Sequence, residues 1–300
     1  MNARTIAGLV RPFTMLGPVT GVLCGSVAAA ARLDVPWPVS RAGIAVLAAV
    51  FANAASNAWN QAFDADIDRV NKPERPIPSG RAAVRQAMRL GHACAALGLI
   101  AGAVHAWISG YPWFFACVAL GTFATWSYSA PPLRTKRSMI GALLTIAVPR
   151  GFLVPVAAWS VVAAPGTLEP FLLGLVPGLF VLGAAATKDF ADVAGDRAHG
   201  CRTLPVVLGP ARAAKIVAPF LYAPFVLYPV LAALGWIARP LVAWSIVAAA
   251  LGGFGLVTAR ALTRDPESLA TERNHPAWRG MYLLLLANQF SVAITYALVR

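Results

Sequence analysis

The segment AGIAVLAAVFANAASNAWNQAF, residues 42–63, is 22 residues long and contains no charged side chain. It leads directly into DADID, residues 64–68, which places three aspartates within five positions. About 20 apolar residues are needed to cross a hydrocarbon core about 30 Å thick. The stretch therefore predicts a membrane-spanning helix that ends in a cluster of carboxylates at one membrane surface.

The rest of the chain repeats this pattern of long apolar blocks separated by short charged segments. Of its 300 residues, 58% are hydrophobic and 12% are charged, which is about half the charged fraction of a soluble domain. The blocks predict an all-α membrane protein with nine transmembrane helices in a single domain, residues 1–300. The predicted spans are Phe13–Ala31, Ala42–Phe63, Met88–Trp107, Trp113–Tyr128, Met139–Val161, Pro170–Thr187, Ile216–Leu234, Pro240–Leu262 and Gly280–Val299. The first is expected to be a retained helix rather than a signal peptide, because eight more spans follow it.

The net charge of +13 is distributed unevenly along the chain. Twenty of the 25 Lys and Arg lie in the N-terminal segment, in the loops after spans two, four, six and eight, or at the span ends that border them. Four lie on the other side (Arg32, Arg41, Arg239 and Arg300), and Arg150 lies within span five. Such an excess marks cytoplasmic loops. It predicts a protein of the cell (inner) membrane with a cytoplasmic N-terminus and its C-terminus on the opposite side, and it argues against nucleic acid as a partner.

Two acidic segments form an internal repeat and contain seven of the twelve acidic residues. The first is NQAFDADIDRVNKPERPIPSGR, residues 60–81, and the second is KDFADVAGDRAHGCRTLPVVLG, residues 188–209. Asp64 and Asp192 are 128 residues apart, as are Asp68 and Asp196. Each segment follows an even-numbered span, so both are expected at the cytoplasmic face. Two pseudo-repeated four-helix halves plus one helix would place them opposite each other, around a central cavity open to the cytoplasmic side.

Six oxygen-bearing residues are predicted to be catalytic and to bind metal: Asn60, Asp64, Asp68, Asp189, Asp192 and Asp196. Steps of four residues place Asn60, Asp64 and Asp68 on one helix face, and Asp192 and Asp196 repeat that step. Stacked carboxylates repel each other unless a cation lies between them. Oxygen ligands without His or Cys favour Mg²⁺ over zinc or copper, since Mg²⁺ usually binds a few carboxylates together with substrate phosphates.

Basic and polar residues are interleaved with these acids, as a site for both a metal and a polyanion requires. Those predicted to bind the diphosphate or the acceptor are Arg11, Lys72, Arg75, Arg81, Tyr128, Lys136, Arg150, Lys188 and Arg202. Arg150 lies mid-span between Pro149 and Gly151, which predict a helix break. A charge there costs at least about 2.5 kcal/mol, so Arg150 is expected to face the bundle interior. The alternatives are that Arg150 only pairs with a buried acid, and that the loop YSAPPLRTKR, residues 128–137, only anchors a helix end. Asp66 lies on the opposite helix face from Asp64 and is expected to be a surface residue.

These motifs resemble the UbiA superfamily of intramembrane prenyltransferases. The family's first motif, Asn followed by two Asp at four-residue steps, is matched by residues 60–68, and its second, Asp-x-x-Asp-x-x-x-Asp, by residues 189–196. The phrases NKPERPIPSGR, YSAPPLR and GCRTLPVVLG are also similar, so that the resemblance covers nearly the whole chain. Gln61 stands where many members have Asp, and Thr135 where they have Leu. In these details the chain is most similar to the homogentisate and geranylgeranylglyceryl phosphate branches.

The resemblance implies transfer of a prenyl group from an isoprenoid diphosphate, such as geranylgeranyl diphosphate, with two Mg²⁺ held by the Asp clusters. The tail would lie among the apolar helices, where water is excluded. The acceptor is expected to be hydrophobic or aromatic, of the quinone or tocopherol precursor type. A glycerol-phosphate lipid, a chlorophyll-type acceptor and terpene cyclisation remain open within the superfamily. A divalent-cation transporter is the alternative from another class, although its acids should lie near the bilayer midplane rather than at helix ends.

Overall fold

Helices form all the regular secondary structure of the computed structural model in the residues that it describes, 1–270 and 275–298. The α-helices are α1 Ala3–Val10, α2 Leu16–Arg32, α3 Val39–Phe63, α4 Ala65–Asn71, α5 Val84–Ser109, α6 Trp113–Ser129, α7 Met139–Ala147, α8 Leu153–Trp159, α9 Glu169–Thr187, α10 Val193–Ala198, α11 Leu204–Leu208, α12 Pro210–Val217, α13 Leu227–Ala233, α14 Leu241–Arg264 and α15 Pro276–Ala297. A backbone in lipid must satisfy its own hydrogen bonds, and a helix does so within one segment. The predicted all-α class is confirmed.

Eight helical segments within the described residues are long and apolar enough to cross a membrane. They are Pro12–Arg32, Val39–Phe63, Val84–Ser109, Met139–Trp159, Glu169–Ala198, Pro210–Ala233, Leu241–Arg264 and Pro276–Ala297. The predicted fourth span corresponds to α6, which has 17 residues and a length of about 26 Å, less than a core of about 30 Å. The eight segments indicate an integral membrane protein, whereas the count of nine stays a prediction. The last predicted span ends at Val299, and Arg300 is one of the basic residues assigned to the non-cytoplasmic side. Both residues lie outside those that the structure describes.

Prolines interrupt two of these segments, because proline lacks a backbone N–H and clashes with the preceding turn. The helix break predicted at Pro149 and Gly151 is a π-helical turn, Val148–Phe152, between α7 and α8. Between α12 and α13 the chain forms two 3₁₀ turns, Ala218–Leu221 and Ala223–Val226, each with proline at its second position. The π turn directs Arg150 into an internal cavity.

Small residues allow the long helices to approach closely, as in other membrane bundles. Helix α3 packs along α5, and α15 packs along both α2 and α14. At Gly98 of α5, a methyl group would lie 3.3 Å from the backbone nitrogen of Ala52. A larger residue at this position would therefore push α3 and α5 apart.

The two acidic segments fold alike at one end of the bundle. Asp64 is the cap residue between the end of α3 and the start of α4. Asp192 takes the same place between the 3₁₀ turn Lys188–Asp192, which continues α9, and the start of α10. Asp64 has φ −103° and ψ 16°, and Asp192 has φ −109° and ψ 2°. Helix α4 also lies against α10. The repeat seen in the sequence is therefore present in the backbone at this end.

At the other end of the bundle, Glu169 joins four elements and is buried. Its carboxylate accepts hydrogen bonds from Arg32 Nε at 2.9 Å and from the Tyr296 hydroxyl at 2.6 Å. The backbone N–H of Ala238 is a further donor at 2.9 Å. Glu169 thereby fixes the start of α9 to the ends of α2 and α15 and to the loop before α14.

Candidate active site

Asp64 is a buried carboxylate with three polar partners. It forms an ion pair with the Lys136 ammonium, and Asn60 Nδ2 donates a hydrogen bond to it at 2.7 Å. The Arg134 guanidinium lies 3.8 Å away. Asn60 also donates to Ser129 Oγ at 3.2 Å, so that residues from α3, α6 and the following loop all meet at Asp64.

Asp68, one turn further along, is 3% exposed. Both of its carboxylate oxygens accept hydrogen bonds from Arg75, at 2.9 and 2.7 Å. Burial raises the pKa of Asp68, and the charge of Arg75 opposes this shift. Asp68 and Arg75 thus form a buried ion pair at the end of the first acidic segment.

Asn71 and Lys72 of the first segment bind directly to the second segment. The Lys72 ammonium pairs with the Asp192 carboxylate. Asn71 Nδ2 donates to the Asp192 carbonyl oxygen at 3.0 Å, and Asn71 Oδ1 accepts from the Gly195 N–H at 2.8 Å. The two acidic segments thus meet, as the repeat predicted.

Tyr128, at the end of α6, lies between the two acidic segments. Its hydroxyl is 2.9 Å from the Lys188 ammonium, which also lies 4.6 Å from the centre of the ring. It lies within electrostatic range of four carboxylates that come from both segments: Asp64, Asp189, Asp192 and Asp196. One ligand near Tyr128 could therefore interact with both segments.

The donor set at this end of the bundle fits Mg²⁺ that binds together with a phosphate ester. Within residues 1–270 and 275–298, no three His, Cys, Asp or Glu side chains converge on one point that could hold a metal ion. The carboxylates of this part of the chain thus form no closed cage, and Mg²⁺ typically binds only one or two carboxylates and completes its coordination with water and phosphate oxygens. The ammonium groups of Lys72 and Lys136 now neutralise two of the carboxylates, and ammonium groups also bind phosphate oxygens.

An apolar cavity of about 160 Å³ lies within the bundle near this region. Its walls come from α2, α3, α6, α8 and α15. Two polar residues of α3 also line the cavity. Ser56 lies one turn before Asn60, and Asn53 lies two turns before it. Its charged lining residue is Arg150, which is exposed to the cavity, as expected for a residue facing the bundle interior. The cavity could hold an apolar chain whose polar end lies at the acidic segments.

Two predicted binding residues, Arg81 and Arg202, have no contact with the acidic side chains among the interactions of the described residues. Arg81 is exposed and bonds back to its own loop, at the carbonyl oxygen of Glu74. The Arg202 side chain is also exposed. Asp66 is exposed and pairs with Arg69, which agrees with its prediction as a surface residue. The roles of Arg81 and Arg202 in binding stay predictions.

Three residues near the site were missed by sequence reasoning. Asn71 contacts the second segment through tertiary structure, which no local pattern reveals. Arg134 has φ 34°, a conformation rare outside glycine, and it lies in the loop of residues 128–137, where the sequence singles out Tyr128 and Lys136. Tyr282 lines the cavity from α15 seven residues before Gln289, which also lines it. That spacing places both on one helix face and could have identified them.

Comparison with known proteins finds relatives over most of the chain. The model of the UbiA prenyltransferase family matches residues 19–286. The bacteriochlorophyll synthase 33 kDa chain of Cereibacter sphaeroides is 36% identical over 217 residues, which cover 71% of this chain and 69% of that one. The digeranylgeranylglyceryl phosphate synthase of Thermococcus kodakarensis is 32% identical over 223 residues, covering 73% and 74%. A UbiA homolog from Archaeoglobus fulgidus, solved with DMAPP and Mg²⁺, has the same fold, with a TM-score of 0.75 at 20% identity over 97% of this chain and 99% of that one.

Proposed function

The chain belongs to the UbiA prenyltransferase family, and on this basis we propose that it transfers a prenyl group from an isoprenoid diphosphate, such as geranylgeranyl diphosphate, to a hydrophobic acceptor. One arrangement supports this function above others. The two acidic segments meet near Tyr128, and an apolar cavity begins at Ser56 and Thr125, about one helical turn before Asn60 and Tyr128. Family membership identifies an enzyme, so the alternative of a cation transporter is dropped.

The acidic segments would bind the diphosphate through Mg²⁺. We assign the ligands to Asn60, Asp64, Asp68, Asp189, Asp192 and Asp196, and we expect two ions. When bound, Mg²⁺ supplies Lewis-acid stabilisation of the departing diphosphate. Lys72, Lys136 and Lys188 lie at the same place and can turn from the carboxylates and Tyr128 to the outer phosphate oxygens.

The transfer itself makes one bond and breaks one. The allylic C–O bond breaks, and its electron pair leaves on the diphosphate. A nucleophilic atom of the acceptor supplies the pair for the new bond to the allylic carbon, and it releases its proton if it carries one. The apolar cavity walls exclude water, which would otherwise capture the carbocation-like prenyl group.

The acidic end of the bundle is assigned to the cytoplasmic face of the cell (inner) membrane, because most Lys and Arg lie on that side. We also propose one domain over residues 1–300 with nine crossings, in which α6 is the short one. An aromatic quinone or tocopherol precursor is the proposed acceptor. A glycerol-phosphate lipid and a chlorophyll-type acceptor are the alternatives, and the relatives named above favour them.

Diphosphate release by the protein purified in detergent tests this function. Geranylgeranyl diphosphate and a panel of the three acceptor types should give release that requires Mg²⁺, together with a prenylated product of one acceptor. Asp64→Ala is the inactive control. Absence of release from any allylic diphosphate, with Mg²⁺ flux in liposomes instead, would overturn the proposal.

A further inference from the structure

Helix α1 ends directly before a proline. The last four carbonyl groups of a helix have no partner within it. In α1 the Arg11 N–H donates to the carbonyl oxygen of Ala7 at 2.8 Å. The next residue, Pro12, has no N–H, so the backbone cannot offer the Gly8 carbonyl group a helical partner. The carbonyl groups of residues 8–10 therefore need donors from another part of the protein.

Two buried amides of α3, Asn57 and Gln61, supply these donors. Gln61 Nε2 donates to the carbonyl oxygens of Gly8 at 3.2 Å and of Leu9 at 2.8 Å. One turn earlier, Asn57 Nδ2 donates to the carbonyl oxygen of Val10 at 2.9 Å. Gln61 Oε1 has no hydrogen-bond partner in the described part of the chain, so this side chain serves the fold as a donor. An ionised aspartate, the residue type of many family members at this position, could not replace it, because a carboxylate only accepts hydrogen bonds.

Helix α1 in turn packs on the loop that follows α4. Leu9 is buried in one apolar cluster with Ile77. Gly8 lies against Pro76, where a Cβ on the glycine would be 2.8 Å from the proline Cγ, closer than non-bonded carbon atoms pack. Pro76 directly follows Arg75 in the chain. A shift of α1 would therefore move the backbone that carries Arg75.

We propose that Gln61 is a positioning residue: by capping α1 it keeps Arg75 in place at Asp68, and so holds the first acidic segment in the form that binds the prenyl diphosphate. This inference rests on the proposed prenyl transfer. With α1 undocked, Arg75 would no longer be held at both oxygens of the buried Asp68 carboxylate. Because the substrate binds the docked form, its apparent KM rises as the docked fraction falls, whereas kcat at saturation changes little.

Gln61→Met keeps the size of the side chain, removes its donor and tests the proposal. Loss of two hydrogen bonds should speed amide hydrogen exchange in residues 3–10 by about 5- to 150-fold, and exchange in residues 72–81 should rise with it. KM for geranylgeranyl diphosphate with Mg²⁺ should rise by up to the same factor, and kcat should stay within about twofold. Gln86→Met is the matched control, because Gln86 is exposed and its Oε1 accepts a hydrogen bond of 3.0 Å from the Ala83 N–H at the start of α5. It should change neither exchange nor KM.

Gly8→Ala perturbs the same contact from the side of α1. Alanine favours a helix more than glycine does, so an effect confined to α1 would strengthen this helix. The added methyl group, 2.8 Å from Pro76 Cγ, should instead push α1 away from the loop and raise both KM and the exchange rate of residues 72–81. This variant also replaces Gln61→Met if that protein does not fold.

Two results would overturn the proposal. One is normal exchange of residues 72–81 in the folded variants, and the other is faster exchange there with an unchanged KM for the prenyl diphosphate. Exchange is measured without substrate. Absence of diphosphate release from the wild type would refute the proposed function, whereas these two results refute the positioning role while the reaction itself is intact.

Discussion

Asn71 should control whether the two acidic segments act together. Its side chain makes two hydrogen bonds to the second segment, at 3.0 Å to the Asp192 carbonyl oxygen and at 2.8 Å from the Gly195 N–H. Each is worth about 0.5–1.5 kcal/mol net. Asn71→Ala should therefore shift the docking of the segments by about 1–3 kcal/mol, a factor of about 5 to 150 in the equilibrium. We expect kcat to fall by a factor between about 5 and 150. The Mg²⁺ concentration that gives half of the maximal rate should rise.

A Mg²⁺ titration of diphosphate release, with thermal unfolding in the same detergent, measures both effects. The unfolding temperature should change little, because the two hydrogen bonds join α4 to α10 and the turn before it, and not the long helices of the bundle to one another. Asn71→Asp keeps the acceptor for the Gly195 N–H and loses the donor to Asp192, so it should differ from Asn71→Ala. Asn2→Ala, which removes an N-cap hydrogen bond of 2.9 Å from α1, is the control. Identical kcat and Mg²⁺ dependence in Asn71→Ala and the wild type would refute the reasoning.

Three further perturbations have expected outcomes. Asp64→Ala or Asp192→Ala should abolish turnover in a protein that remains folded and membrane-inserted. Asp66→Ala should retain most of the activity. A normal rate in Asp64→Ala or Asp192→Ala would exclude the substituted aspartate as a metal ligand. Glu169→Ala leaves a buried tyrosine hydroxyl and a backbone N–H without their acceptor. The substitution should therefore lower the free energy of unfolding by about 2–6 kcal/mol. Thermal unfolding measures this loss, and an unchanged transition temperature would contradict the prediction. Ala49→Phe should fill part of the 160 Å³ cavity. It should therefore reduce kcat/KM for geranylgeranyl diphosphate more than for the shorter geranyl diphosphate. An equal loss for both diphosphates would mean that the prenyl chain lies elsewhere.

Hydrophobic length and the aspartate spacing made much of this protein predictable from its sequence. Blocks of about 20 apolar residues have one stable form in lipid, the helix, and eight of the nine predicted spans appear in the structure as long apolar helices. The 128-residue repeat predicted that the segments of Asp64 and Asp192 would meet, and Lys72 joins them.

The choice of partners at the site could not be predicted in the same way. The sequence contains many Lys and Arg near the acids, and tertiary packing decides which of them reach a carboxylate. Lys136 and Arg75 do so, whereas Arg81 bonds back to its own loop. The contact of Asn71 with Gly195 joins residues 124 positions apart, and no local periodicity encodes such a pair.

The π turn at Val148–Phe152 offers a simple way for the lining of the cavity to change during evolution. A π turn closes its hydrogen bonds over five residues instead of four, which is equivalent to one residue inserted into a regular helix. Deleting a residue there would rewind the helix and rotate Arg150 away from the chamber. The loss of a single codon would therefore change the lining of the cavity and leave the sequences of the two acidic segments, residues 60–81 and 188–209, as they are.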